Sequence, residues 1–393
     1  MIDPKAIEKA KDQFGKLIEQ EALRIDRMKE QDEFLDFKSM DKIVIGVLDG
    51  DGIGPIIVEQ ALRVLTLLLE EDLANGRIEI RRIEGLTIEN RAARNESVPE
   101  EILAEIKKCQ IILKGPMMTP RPSDPYPNLV SANSILRRAL DLFANIRPVQ
   151  APERNIDWVF FRENIEGAYI WGNKGIRVDD DLSVDFVVET RQGSRRIAKA
   201  AFEYARNNGK KSVTAVTKAN IVKLTDGNFL NACKEVAKDY PEITYQERFV
   251  DIVAAKLADP EFNAGMQVFV LPNLYGDIIS DVGAEIQGGV GTAGSANLGS
   301  RYALFEAIHG TAPFLIQNNR GEYADPSSIL RAVALLLSHI GRQKQSDVLS
   351  KALDVCGVTE RRIKITSLRE DASTREYADY VIDTIGRVRE GQI

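Results

Sequence analysis

The chain is poor in the residues that mark several specialised chemistries. Its 393 residues include three cysteines and two histidines. Cys109, Cys233 and Cys356 are scattered and show no metal-ligand spacing. An odd, unframed set of this kind points to buried thiols in a reducing compartment rather than to disulfides. No apolar run reaches the roughly 18 residues that a membrane-crossing helix requires, so no membrane partner is expected. The N-terminus mixes charges and lacks an apolar core, which argues against a secretory signal. A cytoplasmic location is the expectation. Positive charge is not in excess: 52 Lys and Arg face 59 Asp and Glu, a net charge of −7. No basic patch stands out, so no nucleic-acid partner is expected. There is also no G-x-G-x-x-G turn followed about 20 residues later by an acid, the usual dinucleotide fingerprint.

What is present is an ordinary soluble globular composition, 44% hydrophobic and 28% charged. The length suits roughly two to three domains. Residues 3–37 carry Ile7, Phe14, Leu17 and Ile18 at roughly helical spacing among many Lys and Glu, behind an Asp3-Pro4 start. An exposed charged helix and a partner-binding helix are both open there. An apolar strand at 42–48 runs into Asp49-Gly50-Asp51-Gly52-Ile53-Gly54-Pro55, and a helix is expected from about 56 to 71. Strand, glycine turn and helix open an α/β unit. Further strands are expected at 77–84, 109–113, 158–161, 212–216, 244–249, 266–271 and 301–308, and helices at 99–107, 195–207, 226–238, 326–341, 346–355 and 374–390. Residues 167–194 alternate weakly and read as a β arm. The Gly-, Ala- and Ser-rich stretch 283–299 reads as chain passing between layers or domains.

Two stretches carry candidate chemistry. Arg137, Arg147 and Arg162 come from separate elements, and three guanidinium forks suit a polycarboxylate ligand. After the strand at 266–271 comes Asn273-Leu-Tyr-Gly-Asp277-Ile-Ile-Ser-Asp281. If it is helical after Gly276, Asp277 and Asp281 share one face, one turn apart. That is a hard-cation site for Mg²⁺ or Mn²⁺, or a helix start whose acids are stabilised by the dipole.

Four motifs occur in one order: Gly50-Asp-Gly-Ile-Gly-Pro55, Arg162-Glu-Asn-Ile-Glu-Gly-Ala-Tyr169, Asn273 to Asp281, and His309-Gly-Thr-Ala-Pro313. In that order the chain resembles the β-decarboxylating dehydrogenases, which act on isocitrate, isopropylmalate, homoisocitrate or tartrate. The resemblance covers about residues 41–390 and implies a two-domain α/β fold with a non-Rossmann dinucleotide site. It implies a large domain from 40–142 and 288–393, a small domain from 143–287 with a dimer arm at about 167–194, and an N-terminal extension over 1–39. It implies Asp277 and Asp281 as metal ligands, with Asp251 supplied by a second subunit. Lys218, also from the second subunit, would take the hydroxyl proton, with Asn220 beside it. Tyr169 would protonate the enolate carbon. Arg137, Arg147 and Arg162 would clamp substrate carboxylates, and Thr119, Glu306, His309, Gly310, Thr311 and Asp325 would lie along NAD or NADP.

The substrate's variable group is read, by the same resemblance, at the start of the helix carrying Arg137. Ser131 and Asn133 stand there, polar where isopropylmalate enzymes are apolar. A site built for a polar group rejects an apolar analogue strongly, so the tricarboxylate isocitrate is expected, with homoisocitrate or another malate-type acid as the rival. The chain departs from the family in a longer loop after Pro313 and in lacking an Asp or a Lys-Tyr pair there. It also has Asp325 where Asn commonly precedes the proline. An acid repels a 2′-phosphate while Arg320 attracts one, and NAD is the expected cofactor.

Overall fold

Apolar, β-branched strand residues set between amphipathic helices produce mixed α/β architecture, seen in a computed structural model. It describes residues 3–28, 35–37, 39–121, 123–172, 174–289 and 293–393. The chain divides into two compact units. One, the arm unit, comprises residues 1–34, 143–145 and 150–283; the other, the glycine-turn unit, comprises 35–142, 146–149 and 284–393.

In the glycine-turn unit, strands Ile78–Arg82, Ile43–Leu48, Ile111–Lys114 and Ala303–Ala307 lie side by side and parallel, and Gly294–Leu298 runs antiparallel to the last. Ile43–Leu48 and Ile111–Lys114 are buried along nearly their whole length, as parallel strands covered on both faces must be. Helices Gly54–Leu68, Ser327–His339 and Thr374–Arg389 pack Ile57, Val58, Val64, Ile329, Val333, Val381 and Ile385 into one core with Ile45, Val47 and Phe305. The first of these helices starts two residues earlier than expected because Pro55 suits its first turn. Helix Ile88–Arg94 was not foreseen. Thr87 caps it, and its Arg91 turns inward to pair with Asp51 at 2.6 Å, so its charged sequence reads as a loop. Chain does pass from the arm unit to the glycine-turn unit at 283/284, as expected for 283–299; not foreseen were the end of helix Asn273–Gln287 and strand Gly294–Leu298, buried along most of its length, within that stretch.

In the arm unit, strands Ile156–Glu163, Val268–Leu271, Ser212–Thr217 and Thr244–Phe249 are parallel neighbours in that order. Helices Arg191–Asn207 and Thr225–Ala237 bury Ile197, Ala201, Phe202 and Phe229. The arm holds a short antiparallel pair, Ile176–Arg177 with Ser183–Val184. It ends at Thr190, not 194, because the Thr190 hydroxyl caps the next helix by accepting from the Gly193 N–H at 3.0 Å. The N-terminal helix spans Pro4–Met28; of its expected continuation to 37, residues 29–34 lie outside the described residues. It is not a free solvated helix. Leu17 is buried with Ile170 and Trp171, and Phe14 stacks on Phe186 at 5.2 Å. No described helix is long and apolar enough to cross a membrane.

Candidate active site

In the arm unit, three motif residues converge. Arg162 is the next-to-last residue of the buried strand Ile156–Glu163, and its guanidinium pairs with the Asp277 carboxylate. The Tyr169 hydroxyl donates to the other Asp277 oxygen at 3.1 Å, and Arg162 lies 5.5 Å from the Tyr169 ring centre. Helix Asn273–Gln287 can approach the strand this closely because residue 276 is glycine. A Cβ there would come within 2.6 Å of the Arg162 side chain. Asp281 follows one turn later and is exposed. Asn273, which sequence reasoning left without a role, accepts from Arg162 Nε at 3.0 Å and Nη2 at 2.8 Å and donates to the Glu166 carbonyl at 2.9 Å. Its signal was its place between a buried strand and the first acid.

Lys218 follows strand Ser212–Thr217, and Asp251 sits in the first turn of helix Val250–Lys256, which was not foreseen. The Lys218 ammonium donates to Asp251 at 2.6 Å. That bond holds the Asp251 carboxyl below the usual carboxylate range. Asp226, its carboxyl raised by burial, accepts from the Lys218 backbone N–H at 2.6 Å and anchors the turn. Asn220 lies exposed two residues on. Among the described residues, no three His, Cys, Asp or Glu side chains gather into a metal site. Asp277 and Asp281 offer hard oxygen donors of the kind Mg²⁺ and Mn²⁺ take. Their place on one helix face fits such an ion, but within one chain the donor set is short of a third carboxylate.

In the glycine-turn unit, Ser131 caps helix Ala132–Ala139, accepting from the Ser134 N–H at 3.4 Å. The Asn133 side-chain oxygen is buried without a hydrogen-bond partner among the described residues. Arg137 on the same helix stands 3.7 Å from Glu306, and Lys114 pairs with Glu306 at 2.7 Å. Burial pushes the Glu306 carboxyl up, but the Lys114 and Arg137 charges outweigh it and bring it down to about 2. Lys114 is 1% exposed and was missed; a lysine closing an otherwise apolar buried strand was the available signal. Arg147 is buried in strand Ala144–Ala151, an element that was not foreseen.

Two loops meet in this unit. Gly52 takes a positive φ of 60°, and a Cβ there would lie 2.2 Å from the Thr311 carbonyl oxygen. The Ile53 N–H donates to that same oxygen at 3.2 Å. The glycine turn and the 309–313 loop are thus one structure. Asp51 secures it, accepting from the N–H groups of Ile88 at 2.6 Å and Met118 at 2.7 Å. The His309 Nε2 is buried without a partner among the described residues, while Nδ1 lies 3.1 Å from the Gly310 carbonyl. Thr119 and Gly310 are exposed. Asp325 accepts from the Ser327 N–H at 2.8 Å and serves the following helix start; burial raises its carboxyl.

The family described as isocitrate/isopropylmalate dehydrogenase matches residues 44–381. The NADP isocitrate dehydrogenase of Rickettsia prowazekii is 40% identical over 314 residues, 78% of this chain and 61% of that protein's own length. A regulatory subunit of mitochondrial NAD isocitrate dehydrogenase from Dictyostelium discoideum is 36% identical over 87% of this chain and 91% of its own. A crystal structure of isocitrate dehydrogenase from Methylococcus capsulatus superposes with a TM-score of 0.76 at 34% identity, covering 87% of this chain and 99% of that one. These similarities define the class as NAD(P)-dependent decarboxylating dehydrogenases. Within it, the chain belongs to the isocitrate/isopropylmalate dehydrogenase family.

Proposed function

We propose that the chain oxidises isocitrate with NAD or NADP and decarboxylates the product to 2-oxoglutarate and carbon dioxide. The observation that carries this reading is the meeting of Arg162, Tyr169 and Asp277. It combines a carboxylate clamp, a proton donor and a hard metal ligand. Arg137, Arg147 and Arg162 bind substrate carboxylates as planar forks. Ser131 and Asn133 receive the third carboxylate, the Ser131 hydroxyl and the Asn133 amide N–H donating to it.

Lys218, as the neutral amine, would take the hydroxyl proton, and a bound NAD or NADP would supply the hydride acceptor for the same carbon. Asn220 beside it orients the substrate. After carbon dioxide departs, Tyr169 donates a proton to the enolate carbon. Asp277 and Asp281, with Asp251 from a second copy of the chain, would hold Mg²⁺ or Mn²⁺. When bound, that ion supplies Lewis-acid stabilisation of negative charge on the substrate oxygens. Thr119, Glu306, His309, Gly310, Thr311 and Asp325 line the cofactor. NAD is favoured over NADP because the carboxyl at 325 opposes a 2′-phosphate.

Sharing between two copies is supported by the pairing of Lys218 with Asp251, which lets both be delivered together. Ile221, Leu224, Ile252 and Ile278, on or beside the elements that carry these residues, are 68%, 82%, 44% and 52% exposed. Exposed apolar side chains in such numbers suit a protein interface. The similarity to a regulatory subunit favours a second reading, a binding subunit with little turnover of its own.

The test is an assay of the purified chain with Mg²⁺ or Mn²⁺ against isocitrate, homoisocitrate and isopropylmalate, each with NAD and NADP. Isocitrate should exceed isopropylmalate in kcat/KM by about 10⁴-fold, the discrimination that unpaired buried polar groups provide. Preference for isopropylmalate overturns the substrate reading. Absence of turnover with every pair overturns the enzyme reading in favour of the binding subunit.

A further inference from the structure

The N-terminal helix Pro4–Met28 precedes the segment that matches the family, 44–381, and the proposed reaction assigns it no part. Besides contacts at Gly175, Phe186 and Gln192, it touches the stretch that carries Tyr169. Arg24 Nη2 donates to Glu166 Oε1 at 2.7 Å, and Arg24 Nε donates to Glu21 Oε2 at 2.8 Å. The second Glu21 oxygen accepts from the Trp171 indole N–H at 3.1 Å. One Glu21–Arg24 pair therefore holds both Glu166 and Trp171. Gly167, Ala168, Tyr169 and Ile170 are the residues between them. Leu17, one turn earlier on the helix, packs on Ile170 and Trp171.

The electrostatics give the helix a task. The Glu166 side chain is 0% exposed. It also accepts from the Thr190 N–H and hydroxyl, both at 2.7 Å. Glu163 and Glu189 are buried in the same region. Burial, followed by the charge of Glu166, raises the Glu163 carboxyl to about 8. Burial and the neighbouring Glu163 and Glu166 charges also push Glu189 up. A cation here limits the cost of burying the Glu166 carboxylate; without it, that charge would sit beside two further acids. Tyr169 is 37% exposed, so the aim of its side chain at Asp277 depends on where the backbone of its stretch lies.

We propose that Arg24 is a positioning residue: by joining Glu166 to Glu21, the N-terminal helix straps residues 166–171 in place so that the Tyr169 hydroxyl meets Asp277. This rests on Tyr169 acting as the proton donor of the proposed reaction. The anchoring itself is independent of that role and is measured separately.

The experiment uses the full chain carrying Arg24→Gln, with Arg24→Lys as the charge-retaining control. Amide hydrogen exchange is followed over 165–171, and kcat and KM for isocitrate are measured with Mg²⁺. Arg24→Gln should accelerate exchange in that stretch at least about tenfold by local loosening, and Arg24→Lys should recover most of the protection. Arg24→Gln should lower kcat about 10- to 100-fold, the loss expected from misplacing a reacting group, with KM within about twofold. In a Tyr169→Phe background the same substitution should cost nothing further, because two residues acting through one function are not additive. Unchanged exchange over 165–171 overturns the proposal. So does accelerated exchange with normal kcat, or a kcat loss that persists undiminished in Tyr169→Phe. If the chain turns over no isocitrate yet exchange accelerates, the anchoring is upheld and the functional reading fails.

Discussion

Two glutamates, one in each unit, are removed from water and titrate in opposite directions. Glu306, in the glycine-turn unit, sits beside Lys114 and Arg137 and falls to about 2. Glu163, in the arm unit, sits near Glu166 and rises to about 8. Burial raises both, so depth alone does not set the outcome: at Glu306 the Lys114 and Arg137 charges outweigh it, whereas at Glu163 the Glu166 charge adds to it and the Arg196 charge only partly offsets it. A parallel contrast separates two Lys–acid pairs. Lys114–Glu306 is sealed, with side chains 2% and 12% exposed, whereas Lys218–Asp251 is open, at 25% and 56%. A sealed pair is a fixed part of the fold. An open pair can exchange partners, as the proposed base and the proposed metal ligand must.

The most severe test of this contrast is at the open end. Asp281→Asn should reduce turnover at least about 10³-fold, roughly 4 kcal/mol of barrier, while circular dichroism and the unfolding midpoint stay unchanged. Full activity at saturating Mg²⁺ would remove Asp281 from the metal site. The sealed pair should behave in reverse. Lys114→Met leaves a buried carboxylate facing only part of its former charge and should cost about 3 to 5 kcal/mol in denaturant unfolding. Lys218→Ala should leave the unfolding midpoint where it is yet abolish turnover. Equal destabilisation by the two lysine changes would erase the distinction.

The smallest effect is the pH dependence, and its sign differs between the units. The folded pKa of Glu306 lies below its usual value of 4.5. Its contribution is therefore present above pH 4.5 and lost as pH falls toward 2. The folded pKa of Glu163 lies above 4.5, so the fold binds the extra proton. That stabilisation is present below pH 4.5 and lost as pH rises toward 8, with a slope of up to about 1.4 kcal/mol per pH unit. Unfolding titrations of Glu163→Gln should show a flatter decline between pH 5 and 8 than the parent. An identical profile would show that Glu163 is ionised in the fold.

The alternation of strand and helix and the family membership were legible because apolar periodicity and short motifs are local. Ile43–Leu48, Ser212–Thr217 and Thr374–Arg389 announce themselves by pattern alone. Helix Ile88–Arg94 did not, because its stability comes from Arg91 reaching Asp51, 40 residues away in sequence. Lys114, Asn273 and Arg24 were equally silent. Each is an ordinary polar residue until its partner is known, and Glu306, Arg162 and Glu166 lie between 111 and 192 residues from them.

The order of residues by itself determined the α/β class, the family and the candidate chemistry at Arg162, Tyr169, Lys218, Asp251, Asp277 and Asp281. Only the tertiary structure decided that the N-terminal helix docks on the Tyr169 stretch, and that cations outweigh burial at one glutamate and fail to at another. Hydrophobic period and motif spacing are properties of neighbours along the chain. Charge pairing and desolvation belong to neighbours in space, and folding alone sets those.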